Sequence, residues 1–199
     1  MSTPSSPLHV RWLGRVPYSE ALAVQQAVFE HGVDQHLLLV EHQHVFTYGQ
    51  NANLEQNLKC DPAQVGAELV AVHRGGDITY HGPGQLVGYP IVRLQKPTEL
   101  VGFVREIEAA LIRVCEDLGI PALRVDGRSG VWIRDAKGDR KIAAIGIRVA
   151  KGVSMHGFAL NVNPDLAAFA QIVPCLEAIS TKTTSFCGLE KSTRNTAMS

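Results

Sequence analysis

Apolar positions recur with a helical period over residues 98–118. Leu100, Val104, Ile107, Leu111, Val114 and Leu118 fall at alternating steps of four and three and draw one stripe along a helix. Thr98 can cap its start, and Gly119-Ile120-Pro121 ends it. A second helix is predicted over Tyr18–His31, with Ser19 as N-cap and Gly32 as its stop. Short apolar runs bounded by turn residues predict strands at 36–41, 45–48, 68–73, 85–94, 131–133, 141–149 and 153–162. The last three read as an antiparallel meander that turns at DAKGD and at AKG. Asn163-Pro164 then breaks the strand, and 165–172 reads as a short helix. Strands come in clusters with helices between them, without strict strand–helix alternation, which predicts an α+β domain with mixed or antiparallel sheets.

A length of 199 residues suffices for one core. Nineteen basic residues balance nineteen acidic ones, so the broad positive field of a nucleic-acid binder is missing and only a local patch could replace it. The longest apolar runs, such as LLLV at 37–40, are too short to cross a bilayer. MSTPSSPLHV has no basic start followed by an apolar stretch, so no export signal is expected. Residues 1–17 read as a flexible tail, 18–187 as the domain and 188–199 as a loose C-terminal tail. Four cysteines, at 60, 115, 175 and 187, form no C-x-x-C pair and are expected as reduced thiols of a cytoplasmic protein.

The densest local pattern is RGGDITYHGPGQ at 74–85. It matches neither the Walker loop nor the dinucleotide fingerprint, because its glycines flank a β-branched and aromatic segment and Pro83 blocks a following helix. Gly75 and Gly76 free the backbone for unusual conformations or let a ligand lie against it. The HGPG segment fits a tight turn with proline second and glycine third, aiming His81 and its strand into a shared space. A purely geometric turn would explain GPG alone, but less readily the whole dodecamer.

Cys115 lies beside the apolar stripe and reads as packing; Cys60 and Cys187 sit in unremarkable surroundings. Cys175, in IVPCLE at the exit of a short helix, is the candidate nucleophile, though a thiol starts near pKa ~8.5 and needs activation. Lys141 opens KIAAIGIRV, and burial at the edge of such a strand could lower its pKa and make it a base. A lysine that merely snorkels at a strand end is the alternative. His42 and His44 could share a face as metal ligands, but a polar turn explains them as well, and Ser154-x-His156 is no triad by itself.

Taken together, RGGDITYHGPGQ, GRSGVWI (127–133), RKIAAIGIRV (140–149), MHGFALNV (155–162) and IVPC (172–175) resemble the lipoyl(octanoyl) transferases in order and spacing over roughly 18–187, and EHQHVFTYGQ (41–50) resembles their early strand block. The resemblance implies the fold of the lipoate and biotin protein ligases: a larger mixed β-sheet and a smaller sheet flanked by helices. It implies transfer of an octanoyl or lipoyl group from acyl carrier protein to a lysine of lipoyl domains, those of the 2-oxo acid dehydrogenases and the glycine cleavage H protein. The family's acyl-carrying cysteine falls on Cys175 and its activating lysine on Lys141. Its substrate contacts fall on Arg74, Gly75, Gly76, Asp77, Ile78, Thr79, Tyr80 and His81, on Ala144, Ile145 and Gly146, and on Gly157, Phe158 and Ala159. Leu176 follows the cysteine where the family usually has glycine.

On this reading neutral Lys141 takes the proton of Cys175 as the thiolate attacks the thioester, and the target lysine then attacks the acyl-enzyme. Gly75, Gly76, Gly146 and Gly157 keep side chains out of an acyl slot lined by Ile78, Ile145 and Phe158, with His81 at its reactive end. No cofactor, nucleotide or metal is needed, because the thioester is already activated. The enzyme is expected to act as a monomer, without nucleic acid or membrane. The alternatives are an ATP-dependent lipoate or biotin ligase of the same fold, a thioesterase, and a non-catalytic binder of acyl carrier protein or lipoyl domains.

Overall fold

The computed structural model describes residues 7–50, 52–94, 100–136, 138–172 and 182–186. In chain order the elements are β1 (Leu8–Val16), α1 (Tyr18–His31), β2 (Gln35–His42), β3 (Val45–Tyr48), the one-turn α2 (Leu54–Asn57), β4 (Glu68–Ala71), β5 (Ile78–His81) and β6 (Gln85–Ile91). There follow α3 (Leu100–Asp117), β7 (Ala122–Val125), β8 (Arg128–Asp135), β9 (Gly138–Ala150), β10 (Val153–Asn161) and β11 (Lys182–Thr183). An eight-stranded sheet runs β1-β2-β6-β10-β9-β8-β7, with β11 also paired to β9; a three-stranded sheet runs β4-β3-β5. Both are mixed: β1 is parallel to β2, β11 to β9 and β3 to β4, while the other ladders are antiparallel. This is the larger mixed sheet and smaller sheet that the α+β reading expects.

The β8–β9–β10 meander forms as predicted. Its second turn places Lys151 and Gly152 at φ 51° and 75°, the two left-handed residues that a tight hairpin turn of the right twist requires. Helix α3 buries Ile107, Leu111 and Cys115 against the β7–β8–β9 half of the large sheet. The stripe read from the sequence drifts at its C-terminal end: Cys115 takes the inward place four residues after Leu111, and Val114 and Leu118 are 44% and 65% exposed. Gly119, at φ 73°, ends the helix in a paired-bond cap, with Gly119 N donating to Glu116 O and Ile120 N to Cys115 O. Helix α1 covers the opposite face through Ala21, above Leu38, Val40, Val87 and Tyr89.

Three expectations need correction. Leu8–Val16, read as part of a flexible tail, forms an edge strand in parallel register with β2; its alternating polar and apolar residues bury too little to show a core face in the sequence. Ser19 does not cap α1, since Pro17 occupies the N-cap position and no side chain caps there. The short helix expected over 165–172 is a 3-10 segment, Leu166–Gln171, capped by the Asp165 carboxylate, which accepts from Ala167 N at 2.9 Å. Thr98 lies outside the described residues.

Candidate active site

A cavity of about 280 Å³ opens between the central strands of the large sheet, the small sheet and the start of α3. Its wall is assembled from the segments singled out in the sequence. Arg74, Gly75, Gly76, Asp77, Ile78, Thr79 and His81 come from the glycine-rich loop and β5. Lys141, Ala144, Ile145 and Gly146 come from β9, and Gly157, Phe158 and Ala159 from β10. Tyr80 is the exception. It turns into the small-sheet cluster with Phe46, and its hydroxyl lies 2.6 Å from His44 Nδ1. Tyr80 shares its strand face and its cluster with Ile78, while His81 points to the other face. Cys175 lies outside the described residues, as do Leu176 and Cys187.

The glycines act differently from one another. Gly146 lets the 74–76 loop lie on β9: a Cβ there would stand 3.0 Å from Gly75 O and 3.3 Å from Arg74 Cδ. Gly75 N donates to Ile147 O at 3.3 Å, which pins the loop. Gly76 takes φ 87°, a conformation that favours glycine. Gly157 faces away from the slot: a Cβ there would run into Gly88 O and stand 2.6 Å from Pro90 Cδ. Its role is the close approach of β10 to β6, and this corrects the expectation that it keeps side chains out of the acyl slot. Gly88 makes the matching concession, leaving its space to the Phe158 ring across the ladder. The HGPGQ turn closes as Gln85 N donates to Gly82 O at 3.1 Å, with Gly84 at φ 83°.

His81 sits in a buried polar network. Its Nδ1 donates to Gln85 Oε1 at 2.7 Å, and its Nε2 faces Thr47 Oγ1 at 3.4 Å. Arg74 Nη2 donates to the same Thr47 hydroxyl and to Thr47 O, both at 2.8 Å. Gln85 in turn donates to Asn161 Oδ1 at 2.9 Å. Burial, helped by His42 and Arg74 nearby, pushes the His81 imidazole down to about 3, so it stands neutral. Tyr18 stacks on it at 6.2 Å with an interplanar angle of 12°, and burial raises the Tyr18 phenol to about 12. His42, fully buried, donates from Nδ1 to Val16 O and meets the Tyr89 hydroxyl at 2.7 Å; burial lowers it to about 4. His42 and His44 therefore serve separate hydrogen bonds in separate clusters.

Lys141 reaches the cavity from the start of the apolar stretch of β9, half-buried, with Nζ 4.6 Å from the centre of the Trp132 ring. Ile172, three residues before Cys175 in sequence, lines the cavity, and Thr183, eight residues after it, is the ladder partner of Lys141. The other described cysteines, Cys60 and Cys115, behave as the sequence suggested. Cys115 is buried under α3 and its thiol is raised to about 11 by burial, while Cys60 packs beside the small-sheet cluster.

Several lining residues were not singled out from the sequence. Gln85, Asn161 and His156 lie within quoted segments, where a polar residue in an apolar strand was the available signal. His156 also takes φ 59°, rare for a non-glycine residue and typical of functional sites. Tyr18, Leu100 and Val104 come from distant helices, and the sequence marked Leu100 and Val104 only as part of an apolar stripe.

A family model described as the lipoyl protein ligase A/B catalytic domain matches residues 17–197. Among curated relatives, an octanoyltransferase of Mycolicibacterium gilvum (strain PYR-GCK) is 47% identical over 176 residues, 86% of this chain and 72% of its own length. An octanoyltransferase of Acidothermus cellulolyticus is 52% identical over 167 residues, covering 81% and 73%. Among solved structures, a putative lipoate protein ligase of T. acidophilum, Ta0514, superposes with a TM-score of 0.73 at 17% identity, covering 90% of this chain and 75% of that one. A lipoate-protein ligase A bound with ATP gives 0.72 at 16% identity, covering 92% and 76%. At such identities the structures speak for the fold alone.

Proposed function

The chain belongs to the family of lipoyl protein ligase A/B catalytic domains, and from that premise we propose that it moves an octanoyl group from acyl carrier protein to a lysine of a lipoyl domain through a thioester on Cys175. Its curated relatives at 47–52% identity over most of the chain are octanoyltransferases.

Lys141 takes the proton from the Cys175 thiol. The sulfur attacks the donor carbonyl, the carbon–sulfur bond to the carrier breaks, and the carrier thiolate recovers the proton from Lys141. The acceptor amine then attacks the Cys175 thioester, its proton passes to Lys141, and the Cys175 sulfur leaves and takes that proton back, which restores the starting pair. An amide replaces a thioester in the net reaction, which drives it forward. His81 stays neutral through both steps, so it can position polar atoms without adding charge at the cavity.

One observation carries the reading. Lys141 projects into a cavity walled by a glycine-bearing loop and apolar side chains, and the described residues on either side of Cys175 meet that same wall.

The rival with the same fold is an ATP-dependent ligase. Octanoyl-acyl carrier protein and an isolated lipoyl domain, mixed with the enzyme and no ATP, should yield octanoylated domain. Absence of product without ATP, together with octanoate-dependent ATP–pyrophosphate exchange, would replace the transferase by the ligase.

A further inference from the structure

Strand alternation alone would not put Lys141 on the face of Ala144, away from α3. Ala143 is fully buried beneath α3, and in an unbroken strand Lys141, two residues earlier, would share its face. The ladder is broken at this point. Val131 stands opposite Ala143 and Trp132 opposite Lys141, so one step on β8 matches two on β9. Ile142 is the extra residue of a β-bulge. Ile142 and Ala143, adjacent in sequence, both pack in the cluster under α3, and Lys141 is thereby turned over to the face of Ala144 and the cavity.

The bulge is held from the helix side. Gly130, just before Val131 on β8, takes φ 108°; a Cβ there would stand 2.5 Å from Ala143 O and 3.5 Å from Lys141 Cε. Its N–H points out of the ladder and donates to Glu108 Oε1 at 2.9 Å. Glu108 comes from α3 and is fully buried. Its other oxygen accepts from Arg105 Nη1 at 2.7 Å and from Arg124 Nε at 3.0 Å. A buried carboxylate is costly unless paired and hydrogen-bonded, and when so satisfied it is rigid. Arg105 and Arg124 thus fix one Glu108 oxygen, and the other fixes the backbone beside the bulge.

We infer that Glu108 is a positioning residue for Lys141: through the Gly130 N–H it holds the β8–β9 bulge that turns the lysine into the cavity. The inference rests on the proposed role of Lys141, but its geometric part can be read without turnover. The Trp132 ring current should displace the Lys141 ε-methylene resonance, assigned by its loss in Lys141→Arg. Glu108→Gln keeps an acceptor for Gly130 N–H, whereas Glu108→Ala removes it; should Glu108→Ala fail to fold, Glu108→Asp, one methylene too short, serves in its place.

Expected in Glu108→Ala are a Lys141 resonance moved toward its free-chain position, a kcat for transfer from octanoyl-acyl carrier protein lowered at least tenfold, and a KM within about twofold of wild type. Glu108→Gln should stay within about threefold on kcat. On a Lys141→Ala background, Glu108→Ala should cost less than about twofold more, because the group it positions is gone. An unmoved Lys141 resonance in folded Glu108→Ala, or a loss of kcat repeated in full on the Lys141→Ala background, would overturn the inference. A wild-type kcat in Lys141→Ala would instead sink the base role, with the resonance still deciding the position.

Discussion

Lys141 and Trp132 face each other across the β8–β9 ladder, with Nζ 4.6 Å from the centre of the indole. Arg128 shares the ring, its guanidinium carbon 5.4 Å from the same centre. The indole face attracts a cation and offers a broad apolar floor, so it orients the lysine in both of its protonation states.

Trp132→Leu should therefore lower transfer roughly tenfold, since such a contact is worth about 1–2 kcal/mol when shielded from water. Trp132→Phe, which keeps a smaller aromatic face, should lose less. Stopped assays at saturating donor measure this directly. Equal turnover in Trp132→Leu and wild type would remove the indole from the account.

Lysine chemistry and lysine charge can be separated at the same position. Arginine keeps the charge but does not give up its proton near neutral pH. Lys141→Arg should fail nearly as badly as Lys141→Ala, by roughly 10²–10⁴-fold for a lost general base. Substantial rescue by arginine would make the role electrostatic and leave another group to take the thiol proton.

The glycines offer a paired test of what each one does. Gly157→Ala drives a methyl into the β6 backbone at Gly88, and overpacking of this kind costs about 1–3 kcal/mol. At Gly75 a Cβ would sit 3.4 Å from Ile147 O, an ordinary contact, so Gly75→Ala should keep near-wild-type stability. Denaturant midpoints compare the two. A Gly157→Ala midpoint equal to that of Gly75→Ala would show that β10 does not need the close approach to β6.

Much of this site was legible before the fold was known. The loop at 74–79, the 144–146 and 157–159 segments and Lys141 meet at one cavity, because glycine doublets and apolar strands with a single polar residue leave local marks. What the sequence hid depends on neighbours far along the chain. Tyr80 packs into the small-sheet cluster with Phe46, a placement that a quoted block does not reveal. The bulge at Ile142 reverses the parity of Lys141 and has no residue signature of its own on β9. Tyr18 reaches His81 from another element altogether. β1 was missed because its large side chains, Leu8, Val10 and Trp12, are 53%, 58% and 61% exposed, so no buried alternation marks it.

Buried neutral histidines make stability depend on pH. His81 is lowered to about 3 and His42 and His156 to about 4, in each case chiefly by burial. Below the unfolded value of ~6.5 the unfolded chain binds protons that the folded protein refuses, so stability falls as pH drops from 6.5 toward 4 and is flat above it. At pH 5.5 each histidine should cost on the order of 1 kcal/mol, so the three together cost a few kcal/mol. Thermal unfolding at pH 7.5 and 5.5 checks this before most carboxylates titrate. His42→Gln or His156→Gln should flatten the dependence, and an unchanged midpoint between the two pH values in wild type would show these imidazoles to be solvated.

The central claim is that the octanoyl group rests on Cys175 between donor and acceptor. Intact-mass measurement after mixing with octanoyl-acyl carrier protein, with no lipoyl domain present, tests it most directly. The protein should gain the mass of one octanoyl group, hydroxylamine should remove it, and Cys175→Ser should gain no thiol-bound group under the same conditions. A label on Cys60, Cys115 or Cys187, or full transfer activity in Cys175→Ser, would contradict it.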